Sequence, residues 1–386
     1  MSGEHGRMLL NGNHAVAYGV KLARAQVIPV YPITPQTPIL EKLSEFQARG
    51  EMVADLMTME SEHSAMAACI SASLTGVRVF TATASQGLML MHEVLHYASG
   101  AQVPIVMANV NRTIGSPWGF WPDQTDSLAQ RDTGWIQYYC ESAQESLDTV
   151  LQGYRVAEKV RLPAMVIHEA FYVSHSLEVV DVPAAGLADQ YLPPFNPALR
   201  LDPAIGSSWG SVVDQDMFNR HRRALDQGMG EAVEAAREAD RLWGELTGRS
   251  YGIIEVYRPE DAELLICTLG SMAGTAREAV DLLRARKIPV GLLKVKLVRP
   301  FPEVALREVL TGVAKVMVLD RNFAPGTGGF LRQELCAALY GLKRGPKVYG
   351  YLAGVGGTNV SPGRIADLAE ETLHAGQPTS YSIWKG

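Results

Sequence analysis

Short apolar runs separated by helical stretches recur along most of this chain, and few architectures tolerate that order. In the first 180 residues, apolar runs at 27–31, 77–83, 103–110 and 163–168 alternate with helical patterns at 13–25, 37–49, 61–74, 88–99 and 146–160. Such runs, lacking polar alternation and joined by helices, read as strands of a parallel sheet covered on both faces. The order resumes past 262, with runs at 264–269, 290–298 and 314–319 and helices at 275–286, 303–310 and 330–340. Between these halves, 183–211 is Pro-rich and non-periodic and reads as an extended connection. The charged stretch 214–247 reads as a helix with Met217, Leu225, Met229, Val233 and Leu242 facing inward. The expectation is an α/β chain with one unit over 1–185, a connection over 186–258 and a smaller unit over 259–386.

Composition narrows the function. A chain of 386 residues is long enough for two domains. A net charge of −6 without a basic cluster argues against nucleic acid. No apolar run reaches the length of a membrane span. The segment MSGEHGRMLLNG lacks the charged-then-apolar pattern of a secretory leader, so a cytoplasmic protein is expected. Cys69, Cys140, Cys267 and Cys336 are far apart and form no CxxC or Cys/His metal pattern. They read as reduced core residues, and no iron–sulfur cluster or other metal is expected on this chain.

Four motifs sit where strands end, the edge at which open α/β sheets place ligands. Tyr31-Pro32-Ile33-Thr34-Pro35 reads either as a helix cap, with Thr34 at N-cap and Pro35 at N1, or as a turn presenting the Thr34 hydroxyl and backbone to an anion. In Met59-Glu60-Ser61-Glu62-His63, Ser61 can cap a helix whose dipole favours Glu62. The alternative for Glu62 is a hydrogen bond to a cofactor ring nitrogen. Ser85-Gln86-Gly87 is a small-residue turn that allows close approach of a ligand or simply of a helix to the sheet. Arg112, ending a buried strand, suits capture of a carboxylate, or else an ion pair with Asp123 or Asp126. Trp118, Phe120 and Trp121 follow in one loop and read as a substrate or partner wall. The Gly270-Ser271-Met272-Ala273-Gly274 turn is neither GxGxxG nor a Walker loop, so a nicotinamide-binding Rossmann protein is excluded. Residues alone thus give a two-unit α/β protein with an anion site near Thr34, Arg112 and Glu62.

Together, YPITP, MESEHSAMAA, TATASQG, the NR pair and the DQTD run, followed by CTLGSMAGTAREAV, GLLKVKLVRPFP and VLDRNFAPGTGG, resemble the α subunit of 2-oxoacid:ferredoxin oxidoreductases of the pyruvate synthase type. The likeness spans about residues 12–371. It implies a transketolase-like, thiamine-diphosphate-binding pyrimidine domain and a transketolase C-terminal-like domain. The cofactor would be shared with a β subunit carrying Mg2+ and a [4Fe–4S] cluster. γ and δ subunits would bring coenzyme A contacts and further clusters, with electrons leaving to ferredoxin or NAD. By resemblance, Glu62 faces N1′ of the aminopyrimidine and favours its imino tautomer. Arg112 and Thr34 hold the substrate carboxylate, and Ser85, Gln86 and Gly87 line the cofactor. The family's D-H-Q-D reads Asp123-Gln124-Thr125-Asp126 here, so its histidine is absent. The aromatic loop admits either pyruvate or an aromatic 2-oxoacid such as phenylglyoxylate, or a subunit contact. Thr34, where an arginine is expected in oxalate-using relatives, argues against oxalate. The competing reading is a non-catalytic scaffold or regulatory subunit of such a complex, and the joint presence of Glu62, Thr34 and Arg112 favours the catalytic one.

Overall fold

The structure, a computed structural model, describes residues 5–385 apart from 203 and 207. The first unit comprises β1 (Gly6–Leu10), α1 (Gly12–Ala23), β2 (Val27–Val30), α2 (Thr37–Ala48), β3 (Asp55–Thr58), α3 (Glu62–Leu74), β4 (Phe80–Thr83), α4 (Ser85–Leu90) and α5 (His92–Gly100). It continues through β5 (Val106–Asn111), α6 (Thr125–Leu128), β6 (Ile136–Tyr139), α7 (Ala143–Val160), β7 (Ala164–Glu169), β8 (Glu178–Val182) and α8 (Ala185–Tyr191). A 33-residue helix, α9 (Gln215–Thr247), follows. The second unit holds β9 (Ile254–Tyr257), β10 (Leu264–Thr268), α10 (Met272–Ala285), β11 (Val290–Val295), β12 (Leu297–Arg299), α11 (Glu303–Leu310), β13 (Lys315–Asp320), α12 (Phe330–Ala338), β14 (Lys347–Leu352), α13 (Pro362–His374) and β15 (Ile383–Trp384).

The first sheet runs β12-β6-β7-β5-β4, and the parallel pair β2-β3 continues it through a bridge from Val27 to Val79. β4 to β7 are buried along their whole length, as a parallel sheet covered by helices on both faces requires. The second sheet, β15-β14-β13-β10-β11-β9, is parallel except for the edge strand β9. One face packs on α10 and α13. The other face shares a core with the first unit, where Leu306, Leu331 and Leu335 join Met66, Leu88 and Trp135.

Several expectations need correcting. The run 290–298 is two strands: β11 stays in the second sheet, while β12 crosses to pair antiparallel with β6. The break falls at Lys296, whose buried ammonium donates to Gln152 Oε1 at 3.0 Å and lies 4.4 Å from the Tyr251 ring centre. On α9, Leu225 is buried and Met229, Val233 and Leu242 pack against the core as expected, but Met217 is exposed and the most buried positions include Ala232, Ala235, Ala236, Ala239 and Trp243. The alanines let α9 lie close against α7, and small residues thus join the bulky ones at the contact. The 183–211 connection contains a helix, α8. Of the cysteines, Cys336 is exposed and the other three are buried.

Candidate active site

The carboxyl ends of β2, β4, β5 and β7 converge on one edge. The turn after β2 is held from beneath. Buried Asn13 donates to the Pro35 carbonyl at 2.8 Å, and its Oδ1 lies 3.1 Å from His168 Nε2. Burial pushes His168 down to about 3, so the imidazole stays neutral. Gln36 Nε2 donates back to the Tyr31 carbonyl at 3.0 Å. The helix begins only at Thr37, behind Gln36, whose side chain makes no capping bond to it. Thr34 therefore does not cap α2. The turn is fixed through its carbonyls instead, which leaves Thr34 exposed at the edge.

Arg112, 5% exposed, directly follows β5 beside that turn. Its Nη1 donates to the Thr34 carbonyl at 2.6 Å and its Nη2 to Gln86 Oε1. Nε has no partner among the described residues. The guanidinium lies 5.1 Å from the Trp118 ring centre and 5.7 Å from that of Phe120. The ion pair with Asp123 or Asp126 is not made. Asp126 accepts from the backbone N–H of Arg112 at 3.3 Å, and Asp123 from that of Thr125 at 2.8 Å. Burial lowers the arginine's affinity for its proton, and the charge of Asp126 partly restores it. A buried cation whose bonded partners are neutral carbonyl oxygens is an anion receptor.

Asp126 is the hub beneath it. It is fully buried and accepts from Ser85 N (3.0 Å), Asn109 Nδ2 (3.2 Å), Asn111 Nδ2 (2.5 Å), Ser127 N (2.7 Å) and Arg112 N. Desolvation pushes its carboxyl up to about 6 against the pull of those donors.

Ser61 caps α3, accepting from Ser64 N at 3.2 Å, and places Glu62 in the first turn, as the sequence predicts. Glu62 is 6% exposed, and among the described residues no donor reaches its carboxylate. It packs over Gly87: a Cβ there would lie 2.5 Å from Glu62 Oε1 and 2.6 Å from Thr83 Oγ1, a buried hydroxyl also without a partner. Ser85-Gln86-Gly87 is not a free turn but the first turn of α4. Ser85 Oγ faces Gln86 Oε1 and the Thr113 carbonyl. This one turn thus joins the Arg112 group, through Gln86, to the Glu62 group, through Gly87. Ser85 Oγ and Gln86 Oε1 are committed to the protein, whereas the Glu62 carboxylate and the Thr83 hydroxyl have no partner among the described residues.

Sequence reading missed Asn13, which carries no motif, and the cluster between the units. Buried Glu169, ending β7, accepts from Gln124 Nε2 at 2.6 Å, from the Ser271 N–H at 3.2 Å and hydroxyl, and from Arg321 Nη1 at 3.3 Å. The GSMAG turn does receive an anion, but that anion is a carboxylate of the first unit. Gln124, the residue standing where D-H-Q-D carries histidine, is committed to that contact.

Residues 18–241 match the family described as "Pyruvate flavodoxin/ferredoxin oxidoreductase, thiamine diP-bdg", and residues 262–365 match "Pyruvate:ferredoxin oxidoreductase core domain II". The chain is 46% identical over 380 residues to pyruvate synthase subunit PorA of Methanothermobacter thermautotrophicus, covering 98% of this chain and 97% of that one. It is 45% identical over 367 residues to ketoisovalerate oxidoreductase subunit VorA of Pyrococcus abyssi, covering 95% and 93%. A solved 2-oxoglutarate:ferredoxin oxidoreductase from Magnetococcus marinus, with 2-oxoglutarate, coenzyme A and succinyl-CoA bound, superposes with a TM-score of 0.75 at 21% identity, over 96% of this chain and 66% of that one. A split-gene transketolase, solved as an inactive β4 tetramer, gives a TM-score of 0.53 at 14% identity, over 93% and 97%. These two likenesses concern the fold.

Proposed function

The chain belongs to the α-subunit family of 2-oxoacid:ferredoxin oxidoreductases, and from that premise we propose that it is the α subunit of a complex that oxidatively decarboxylates a 2-oxoacid with coenzyme A, giving acyl-CoA and CO2. The observation that carries this reading is a buried, unpartnered carboxylate, Glu62, joined through one helical turn to a buried, acid-free guanidinium, Arg112. Glu62 fits the aminopyrimidine of thiamine diphosphate: it is buried, has no donor among the described residues, and faces a cradle that a Cβ on Gly87 would fill. When bound, the cofactor supplies the carbanion nucleophile and the electron sink that loss of a carboxylate from a 2-oxoacid needs.

This chain's own residues then bind and orient. Glu62 holds a proton at the cofactor's ring nitrogen. Arg112, with Thr34 beside it, takes the substrate carboxylate and fixes the 2-oxo carbon. Trp118 and Phe120 shield that pair from water and face the acyl group. A wall of this size favours a branched or aromatic acyl chain over the methyl of pyruvate. Mg2+, the [4Fe–4S] clusters and the coenzyme A contacts belong in this reading to β, γ and δ subunits, with ferredoxin or NAD as electron acceptor. Four unpaired thiols, three of them buried, suit a cytoplasmic complex. No helix among the described residues is long and apolar enough to cross a membrane.

The deciding experiment is purification of the native complex, followed by coenzyme-A-dependent viologen reduction with pyruvate, 2-oxoisovalerate, phenylglyoxylate and 2-oxoglutarate. Reduction with one or more of the first three is the expected result. No reduction with any of them, from a complex that retains thiamine diphosphate, refutes the proposal.

A further inference from the structure

We infer that the second unit takes part in substrate recognition: the turn at Gly357 is the seat that positions the loop covering Arg112. The inference rests on Arg112 being the carboxylate receptor and assigns the C-terminal half a part in its site. The loop 113–123 closes on Thr113. The Thr113 N–H donates to the Trp121 carbonyl at 3.2 Å, and its hydroxyl donates to the Gly119 carbonyl at 2.6 Å while accepting from the Gly119 N–H at 2.7 Å. That hoop carries Trp118 and Phe120, each about half exposed, over the guanidinium. Their placement depends on the stem, and the stem sits on the second unit.

The contact is close. A Cβ on Gly357 would overlap Trp121 Cβ and lie 3.0 Å from Pro122 Cδ. The Gly357 carbonyl accepts from the Tyr172 hydroxyl at 2.9 Å, and the Tyr172 ring centre lies 4.7 Å from the Arg321 guanidinium. The Arg321 carbonyl in turn accepts from the Gln124 N–H at 3.0 Å, two residues before the Asp126 hub. On the other side the Trp121 ring packs on Phe171, with centroids 5.1 Å apart. The loop is therefore clamped between the two units, and the first unit alone gives it only one jaw.

The test uses the reconstituted complex and oxoacid saturation curves. Gly357→Ala pushes Trp121 off its seat and raises KM about tenfold or more, with kcat changed much less. Gly356→Ala is the control. It bears the same kind of positive-φ strain (64° against 81°), but its Cβ meets only Thr113 Cγ2, at 3.9 Å. Its KM stays within about twofold of the parent. Tyr172→Phe, which leaves the backbone untouched, raises KM by a smaller factor. An unchanged KM in Gly357→Ala, or an equal rise in Gly356→Ala, overturns the inference. If Gly357→Ala fails to assemble, an unchanged KM in Tyr172→Phe overturns it. A parent complex that consumes no 2-oxoacid removes the functional reading and this inference together, whereas normal parent kinetics with equal KM values removes the seat alone.

Discussion

The carboxylate of Glu62 occupies the space where Gly87 would carry a side chain: a Cβ there would come within 2.5 Å of Oε1. Two helix starts, α3 and α4, meet at this point, and the sequence keeps one of them bare so that the other can present its acid.

Substitution at either residue separates reactivity from folding. Glu62→Gln keeps the shape but loses the charge that holds a proton on the cofactor ring. Turnover should fall by about 10²–10⁴ while the complex assembles as before. Gly87→Ala lies in a helix with ordinary φ, so the backbone tolerates it and only the clash remains. It should displace Glu62 and cost a comparable loss of rate. Parent-level viologen reduction by Glu62→Gln would remove the cofactor assignment.

Arg112 should show a different signature. Removing a bidentate receptor weakens both oxoacid binding and its orientation. Arg112→Ala is therefore expected to raise KM and lower kcat together, and Arg112→Lys to rescue little, because an ammonium cannot reproduce the fork that reaches both Thr34 and Gln86. Steady-state curves decide this, and a kinetic profile equal to the parent's would make Arg112 a purely structural cation.

The aromatic wall sets which oxoacid is preferred. Trp118→Ala and Phe120→Ala remove the apolar surface that a bulky acyl chain would pack against and should shift the ratio of kcat/KM for bulky against small 2-oxoacids toward the small ones, by about tenfold. Competition between pyruvate and 2-oxoisovalerate measures the ratio. A ratio unmoved in both variants would assign the loop to a subunit contact.

What the sequence showed was what local chemistry decides. Ser61 and Glu62 were legible because capping and dipole preference act within one turn. At Arg112 the sequence left two uses open, a carboxylate receptor or an ion pair with Asp123 or Asp126, and only the fold shows that the second is not made. Of the two readings open for Thr34, the cap fails because the groups that hold its turn, Asn13 and Arg112, lie 22 residues from Pro35 and 78 from Thr34 in the chain and take carbonyls, which no side-chain pattern reveals. Gln124 and Glu169 met the second unit for the same reason. The 290–298 run looked like one strand because both sheets want the same apolar residues, and only the buried Lys296 marks the crossing.

Asp126 yields two pH dependences of opposite sign. Burial raises its folded pKa to about 6 from an ordinary 3.8, so between those values the folded state holds a proton that the unfolded state lacks. Its contribution to stability is therefore least favourable above pH 6 and improves as pH falls through 6 toward 4. Activity should run the other way. Every bond to this carboxylate is donated to it, Oδ2 accepting from Ser85 N, Arg112 N and Asn109 Nδ2 and Oδ1 from Asn111 Nδ2 and Ser127 N, so a proton on either oxygen displaces at least one donor and loosens the hub beneath Gln86 and Arg112. Oxoacid kcat/KM should fall along an acid limb with a midpoint near 6. Asp126→Asn, fixed in the neutral state, should show lower activity with that limb gone, together with a flatter dependence of melting temperature on pH between 4 and 6. Retention of the limb in Asp126→Asn would hand the titration to another group.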